Sequence, residues 1–246
     1  METSQNQNSR RNFIGKLFAG SAFAAAIAVS PKSFADSFES PVLELASAKP
    51  NAKPKLMNSV EIGMGAPEKY LPHADVLKAA LQSQPSGDAY PIQAWAKLVS
   101  MLRDADPMTQ ITMVNHFFNQ VRYVAEQPGN DEWKMPARFL CEGGDCEDYA
   151  IAKFVTLRLL GFNRDRVRLV FLENTLNGAG HAVVNVVWND KSLILDNMSE
   201  RVIESARMDH YTPICSFTEK QLWMHWISGK SNNSVASLQQ RFSKQS

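Results

Sequence analysis

Apolar positions along this chain follow two periods. Between residues 74 and 124 they recur at helical spacing: Ile92, Trp95, Leu98, Val99 and Leu102 make one stripe, and Ile111, Val114, Phe117, Phe118 and Val121 make another. Residues three and four apart share one face of an α-helix. The spacing predicts helices over 74–83, 91–104 and 108–124. His116 falls inside this pattern and reads as a structural histidine. Gln127-Pro128-Gly129-Asn130 is turn chemistry. A further helix is expected over 146–160, with Ala150, Ile151, Phe154, Leu157 and Leu160 as its stripe. Asp145 suits its N-cap, Asp148 follows three places later as in a capping box, and Gly161 suits the C-terminal cap.

Beyond residue 165 the period drops to two. Arg166 to Leu172, Ala182 to Trp188, Ser192 to Asp196 and Ile214 to Phe217 read as strands, and Trp223 to Ile227 as a last packed element. The turn at Asn189-Asp190-Lys191 sets a register. A two-residue loop opposes Trp188 to Lys191 and brings Asp196 opposite Val183, on the side of the sheet that also carries His181. A three-residue loop sends Asp196 to the other side, because side chains alternate along a strand.

The ends of the chain carry no such pattern. Residues 36–58 hold Pro41, Pro50 and Pro54 and predict a loose stretch, with Val42 to Leu45 as a short edge element. The segments expected are an N-terminal arm over 36–70, a domain over 71–228 and a polar tail over 229–246. No internal repeat is visible. The first 35 residues read as a leader: Arg10-Arg11 in a twin-arginine setting, an apolar run from Leu17 to Val29, and a small-x-small exit at Ser33-Phe34-Ala35. The run is shorter than the roughly 20 residues a spanning helix needs. The alternative is an uncleaved N-terminal anchor.

Composition narrows the class. With 44% hydrophobic and 21% charged residues the chain is neither disordered nor membrane-integral. Losing Arg10, Arg11, Lys16, Lys32 and Glu2 with the leader would turn a net charge of +1 into −2. Neither value gives a field suited to nucleic acid. Export would place the protein in an oxidising compartment, where the odd cysteine count leaves at least one of Cys141, Cys146 and Cys215 free. A Cys141–Cys146 disulfide would silence Cys146 as a nucleophile, so the two readings exclude each other.

Cys146, His181 and Asp196 together supply what acyl transfer needs: a nucleophile, a base and a group that orients the base. A helix N-terminus would favour the Cys146 thiolate, and the Cys146 N–H would be free to donate to an oxyanion. Gly143-Gly144 would leave room for a substrate carbonyl. Structural zinc on Cys141, Cys146 and a histidine fits poorly, because a second ligand pair is missing.

Three segments carry a family resemblance: Gly143-Gly144-Asp145-Cys146-Glu147-Asp148-Tyr149-Ala150-Ile151-Ala152-Lys153, Gly180-His181-Ala182-Val183 and Leu193-Ile194-Leu195-Asp196-Asn197. In order and spacing the chain resembles the bacterial transglutaminase-like cysteine proteases of the LapG type over roughly Val76 to Trp226. The resemblance implies an α+β, papain/transglutaminase-like fold, with a helix bearing Cys146 packed on an antiparallel β-sheet carrying His181 and Asp196. It implies a periplasmic endopeptidase that cuts a large repeat adhesin near its N-terminus, beside paired alanines, and so releases it during biofilm dispersal. It implies sequestration by a LapD-like inner-membrane receptor for cyclic di-GMP. The twin-arginine leader departs from the family's pattern. Calcium dependence is implied too, with Asp145, Glu147 and Asp148 as the matching acids; helix capping is the other reading of Asp145 and Asp148. Trp133 matches a family tryptophan that could line the substrate cleft or the oxyanion pocket, the other reading being core packing. The same triad would serve a transglutaminase-type acyl transferase, and the same fold a non-catalytic exported binding protein.

Overall fold

The computed structural model describes residues 54–71, 73–126 and 132–228. Five α-helices and seven strands order themselves as β1 (Val60–Gly65), α1 (Ala74–Leu81), α2 (Tyr90–Leu102), α3 (Pro107–Asn119), α4 (Pro136–Glu142), α5 (Cys146–Leu159), β2 (Val167–Asn174), β3 (Ala179–Trp188), β4 (Lys191–Leu195), β5 (Ile203–Glu204), β6 (Tyr211–Phe217) and β7 (Leu222–Trp226). Helices precede the sheet, apart from β1, and this is the expected α+β arrangement. The strands form one antiparallel sheet in the order β1-β7-β6-β2-β3-β4-β5.

Helix α5 packs on β2 and β3 and is enclosed by the other helices, so every residue from Asp148 to Leu157 is buried. The expected one-sided stripe is therefore too narrow a description: Lys153 and Thr156 lie inside with the apolar residues. Thr156 Oγ1 accepts from the Trp95 indole N–H at 2.8 Å, which ties α2 to α5. Asp106 caps α3 by accepting from the Thr109 N–H at 3.1 Å, with Pro107 at the first helical position.

Three segments differ from expectation. The arm over 36–70 is not loose along its described part. Leu56 and Met57 are buried with Val170, Leu172, Val183 and Ile194, and Val60–Gly65 pairs with β7. The helix expected to reach residue 124 stops at Asn119, and Val124 donates instead to the Gly144 carbonyl at 2.9 Å. Helix α4, opened by Pro136, was hidden by its shortness. The leader, the Val42 to Leu45 element, the turn at 127–130 and the polar tail lie outside the described residues. Among the described residues no helix is long and apolar enough to cross a membrane.

The hairpin that decides the site has the two-residue loop. Asn189 and Asp190 have φ of 46° and 57°, and Trp188 opposes Lys191. Two left-handed residues in sequence make the type I′ turn whose twist suits adjacent strands, and Asn and Asp tolerate that region well.

Candidate active site

Cys146 is the first residue of α5, behind a corner built by two glycines. Gly143 has φ 79°, and a Cβ there would run into the Arg122 carbonyl; a Cβ on Gly144 would overlap the Asp148 carboxylate. The glycines thus let the corner close onto the 122–124 segment and Asp148, instead of leaving room for a substrate carbonyl.

His181, near the start of β3, reaches Asp196, the residue after β4, through Nε2···Oδ1 at 2.8 Å. An ionised carboxylate only accepts, so Nε2 carries the hydrogen and Nδ1 is the nitrogen left to take a proton. Burial alone would raise the Asp196 carboxyl. The hydrogen bond and charge of His181, the Met198 N–H at 2.9 Å and the Tyr211 O–H at 2.8 Å together hold it below the usual carboxylate range. The segment after Asp196 is fixed to α3. Asn119 Nδ2 donates to the Asp196 and Ser199 carbonyls at 3.0 and 2.8 Å, and Asn115 Nδ2 donates to Ser199 at 3.0 Å. Asn115 Oδ1 in turn accepts from Lys153 Nζ at 2.8 Å. Burial lowers the Lys153 ammonium to about 7, against the pull of Asp196 and Glu200.

The thiol itself departs from expectation. All three cysteines are free, so no disulfide competes for Cys146. The Cys146 S–H donates to Glu147 Oε2 at 3.0 Å. Burial, then the negative charge of Glu147 and Asp145, push the thiol well above its ordinary value, while the Ala182 backbone N–H directed at the sulfur favours the thiolate. The partial charge of the helix end is outweighed by burial and by two carboxylates standing at the same end.

Those acids do not cap the helix. Asp145 has the N-cap backbone conformation but makes no side-chain cap, and Asp148 accepts from the Lys134 N–H at 2.6 Å and Lys134 Nζ at 3.1 Å. Asp145 and Asp148 instead gather with Glu126, offering carboxylate oxygens within 4.8 Å of one another. Glu147, expected in the same set, stands beside Asp145 but turns its Oε2 to the thiol. Burial, then the neighbouring Glu147, Asp148 and Glu126, raise the Asp145 carboxyl to about 9; burial raises Asp148 to about 6 despite Lys134. Lys134 Nζ also donates to Glu126 Oε1 at 3.2 Å, so one ammonium stands against three acids, two half-buried and one buried. Such a set still fits a hard dication, which prefers carboxylate oxygens.

Trp133 lies in the core and does not line a cleft. It is 5% exposed and packs against His73, Phe171 and Phe217 at ring distances of 5.8, 5.7 and 6.1 Å, and its indole N–H has no acceptor among the described residues. His116 is tied to Glu200 at 2.8 Å, a structural role. Sequence reasoning missed Tyr211, Asn115, Asn119, Lys134 and Glu126. Lys153 alone left a signal, as a lysine on the apolar stripe of α5.

Residues 93–231, more than half of the chain, match the family model described as bacterial transglutaminase-like cysteine proteinase. Calcium-bound LapG of Legionella pneumophila is similar in structure, with 29% identity and a TM-score of 0.53 over 68% of this chain and 97% of that one. The EGTA-treated form of the same protein gives 27% and 0.54 over 73% and 99%. No curated protein matches.

Proposed function

Because the chain belongs to the bacterial transglutaminase-like cysteine proteinases, we propose that it is an exported, calcium-dependent endopeptidase whose triad is Cys146, His181 and Asp196. The observation that carries the reading is the 2.8 Å His181–Asp196 bond on the strand whose next residue, Ala182, directs its N–H at Cys146 Sγ.

The chemistry follows from the atoms that are free. His181 Nδ1 takes the thiol proton, and Sγ attacks the scissile carbonyl. The Cys146 N–H in the first turn of α5 is positioned for the oxyanion. The same imidazole then protonates the leaving amine, giving a thioester that water hydrolyses with His181 as base. Asp196 holds Nε2–H and stabilises the imidazolium. Glu126, Asp145 and Asp148 would hold calcium, and the ion supplies positive charge beside a nucleophile whose anion the free acids oppose. The solved LapG structures named calcium-bound and EGTA-treated support that assignment.

The substrate is the N-terminal region of a large repeat adhesin, cut beside paired alanines. The leader over 1–35 brings the enzyme to the periplasm, where a LapD-like receptor withholds it from that substrate. The test is cleavage of such a fragment by His181→Ala and Asp196→Ala proteins. Each should lose roughly 10³-fold or more in rate if the triad is correct. Wild-type rates in either variant would remove that residue from the mechanism.

A further inference from the structure

Past Val184, β3 loses one neighbour. Its pairing with β4 runs from Trp188↔Lys191 to Val184↔Leu195 and stops there, whereas β2 stays paired as far as Ala179. The two-residue turn makes Trp188 and Lys191 a hydrogen-bonded pair. A residue's N–H and C=O point to one edge of the strand, and the edge alternates with each residue. Trp188, Val186 and Val184 therefore face β4, and by the same parity Ala182 and Gly180 face the edge that β4 has left. The packing of α5 on β3 and the Ala182 N–H that favours the Cys146 thiolate agree with this parity and set the nucleophile beside this edge.

Nothing in the described chain returns to cover it. After Leu195 the backbone turns to α3, where the Asp196 and Ser199 carbonyls are taken by Asn119 and Asn115. Two residues from Ala182, about 7 Å along the strand, the Gly180 N–H and C=O face outward at an exposed position, with no strand of the described residues paired on that side. The sheet face at this position is open as well, so a side chain of the added peptide would not be blocked there: a Cβ on Gly180 would meet nothing within 4 Å. An uncovered row of backbone donors and acceptors is a template for strand addition.

Taking the protease reading as premise, we infer that an extended peptide substrate adds to β3 at Gly180. The peptide runs parallel to β3: one residue on the acyl side accepts from the Gly180 N–H, and the residue two places nearer the scissile bond donates its N–H to the Gly180 carbonyl, which carries the scissile carbonyl toward Sγ beside Ala182. The acyl half is the part the enzyme must hold through both chemical steps, so the pairing belongs there. The contact is to main chain. It selects for an extended conformation over side-chain identity, and it excludes proline at the substrate residue that donates to the Gly180 carbonyl.

The test uses covalent labelling of Cys146 in the full mature chain. N-acetyl-Ala-Ala chloromethyl ketone carries the acyl-side backbone; iodoacetamide alkylates the same sulfur without one. On wild-type protein, the two mono-N-methyl isomers of the peptidyl reagent are compared with the parent. One isomer should label roughly tenfold or more slowly. Gly180→Pro removes the outward N–H without touching the β2 ladder, and should slow the peptidyl reagent by a similar factor while iodoacetamide labels at the wild-type rate. If the variant melts early or alkylates abnormally, the isomer comparison on wild type decides alone. Equal rates for parent and both isomers overturn the inference while leaving the protease intact. A wild-type Cys146 that takes iodoacetamide but never the peptidyl reagent overturns the protease premise, and the inference with it.

Discussion

Removing one hydroxyl from Tyr211 tests how Asp196 is held. The Tyr211 O–H donates to Asp196 Oδ2 at 2.8 Å, and its ring lies 5.7 Å from the His181 ring. Tyr211→Phe keeps the ring contact and deletes the donor. A hydrogen bond to a charged group contributes about 1.5–3 kcal/mol, and one pKa unit is about 1.4 kcal/mol, so the folded-state carboxyl should rise by roughly 1–2 units. The sign is fixed by linkage. A carboxyl depressed in the folded state contributes stability that is full above its unfolded value and is lost as pH falls through its folded value. The variant should therefore be less stable at neutral pH by about 1.5–3 kcal/mol and should begin to lose stability at a higher pH. Because a protonated Asp196 cannot steady the imidazolium, the acid limb of kcat/KM should move upward by the same 1–2 units, roughly. The assays are a pH–rate profile on a cleavable peptide and urea unfolding over the same range. An unmoved acid limb beside lowered stability would reduce Tyr211 to a packing residue.

Other outcomes follow from the same geometry. Burial lowers His225, held between Ser59 and Ser216 at 2.7 and 2.8 Å, to about 4. Its contribution is full above the unfolded value and lost as pH falls from about 6.5 through 4, so urea stability should drop by about 2–3 kcal/mol between pH 7 and pH 4.5, and His225→Gln should flatten that slope. Lys153, lowered to about 7 by burial, should make the fold more stable by about 2 kcal/mol between pH 7 and pH 9; Lys153→Met should abolish that gain, and an unchanged slope in the variant would assign it elsewhere. Gly144→Ala drives a methyl into the Asp148 carboxylate, and calorimetry should show calcium affinity lowered by roughly tenfold or more; wild-type affinity would take Asp148 out of the metal set.

The parts of this fold that were legible in sequence are those set by local rules. Asn189-Asp190-Lys191 between two alternating runs left two registers, and the two-residue loop that the structure has is the one that puts His181 and Asp196 on one face. The stripes of α2 and α3 were equally plain. Where expectation failed, a distant group had intervened. Asp145 and Asp148 carry the letters of a helix cap, but Lys134 holds Asp148, and Asp145 stands with Asp148 and Glu126 without capping the helix. The helix end alone argues for a thiolate at Cys146, and only the neighbouring carboxylates and burial reverse it. Tyr211 and Asn119 reach the site through sheet order and a helix–loop contact, which no spacing along the chain reports. The Val60–Gly65 edge strand was hidden because a Gly-rich, exposed segment pairs with a strand more than 150 residues away.

The most direct measurement is cleavage of the N-terminal region of a repeat adhesin by purified mature protein and by Cys146→Ala, each in calcium and in EGTA. The account predicts one discrete cut, made by the wild type in calcium and absent from the other three lanes. A fragment released by Cys146→Ala would contradict the assignment of Cys146 as nucleophile, and an undiminished cut in EGTA would contradict the role of the Glu126, Asp145 and Asp148 cluster.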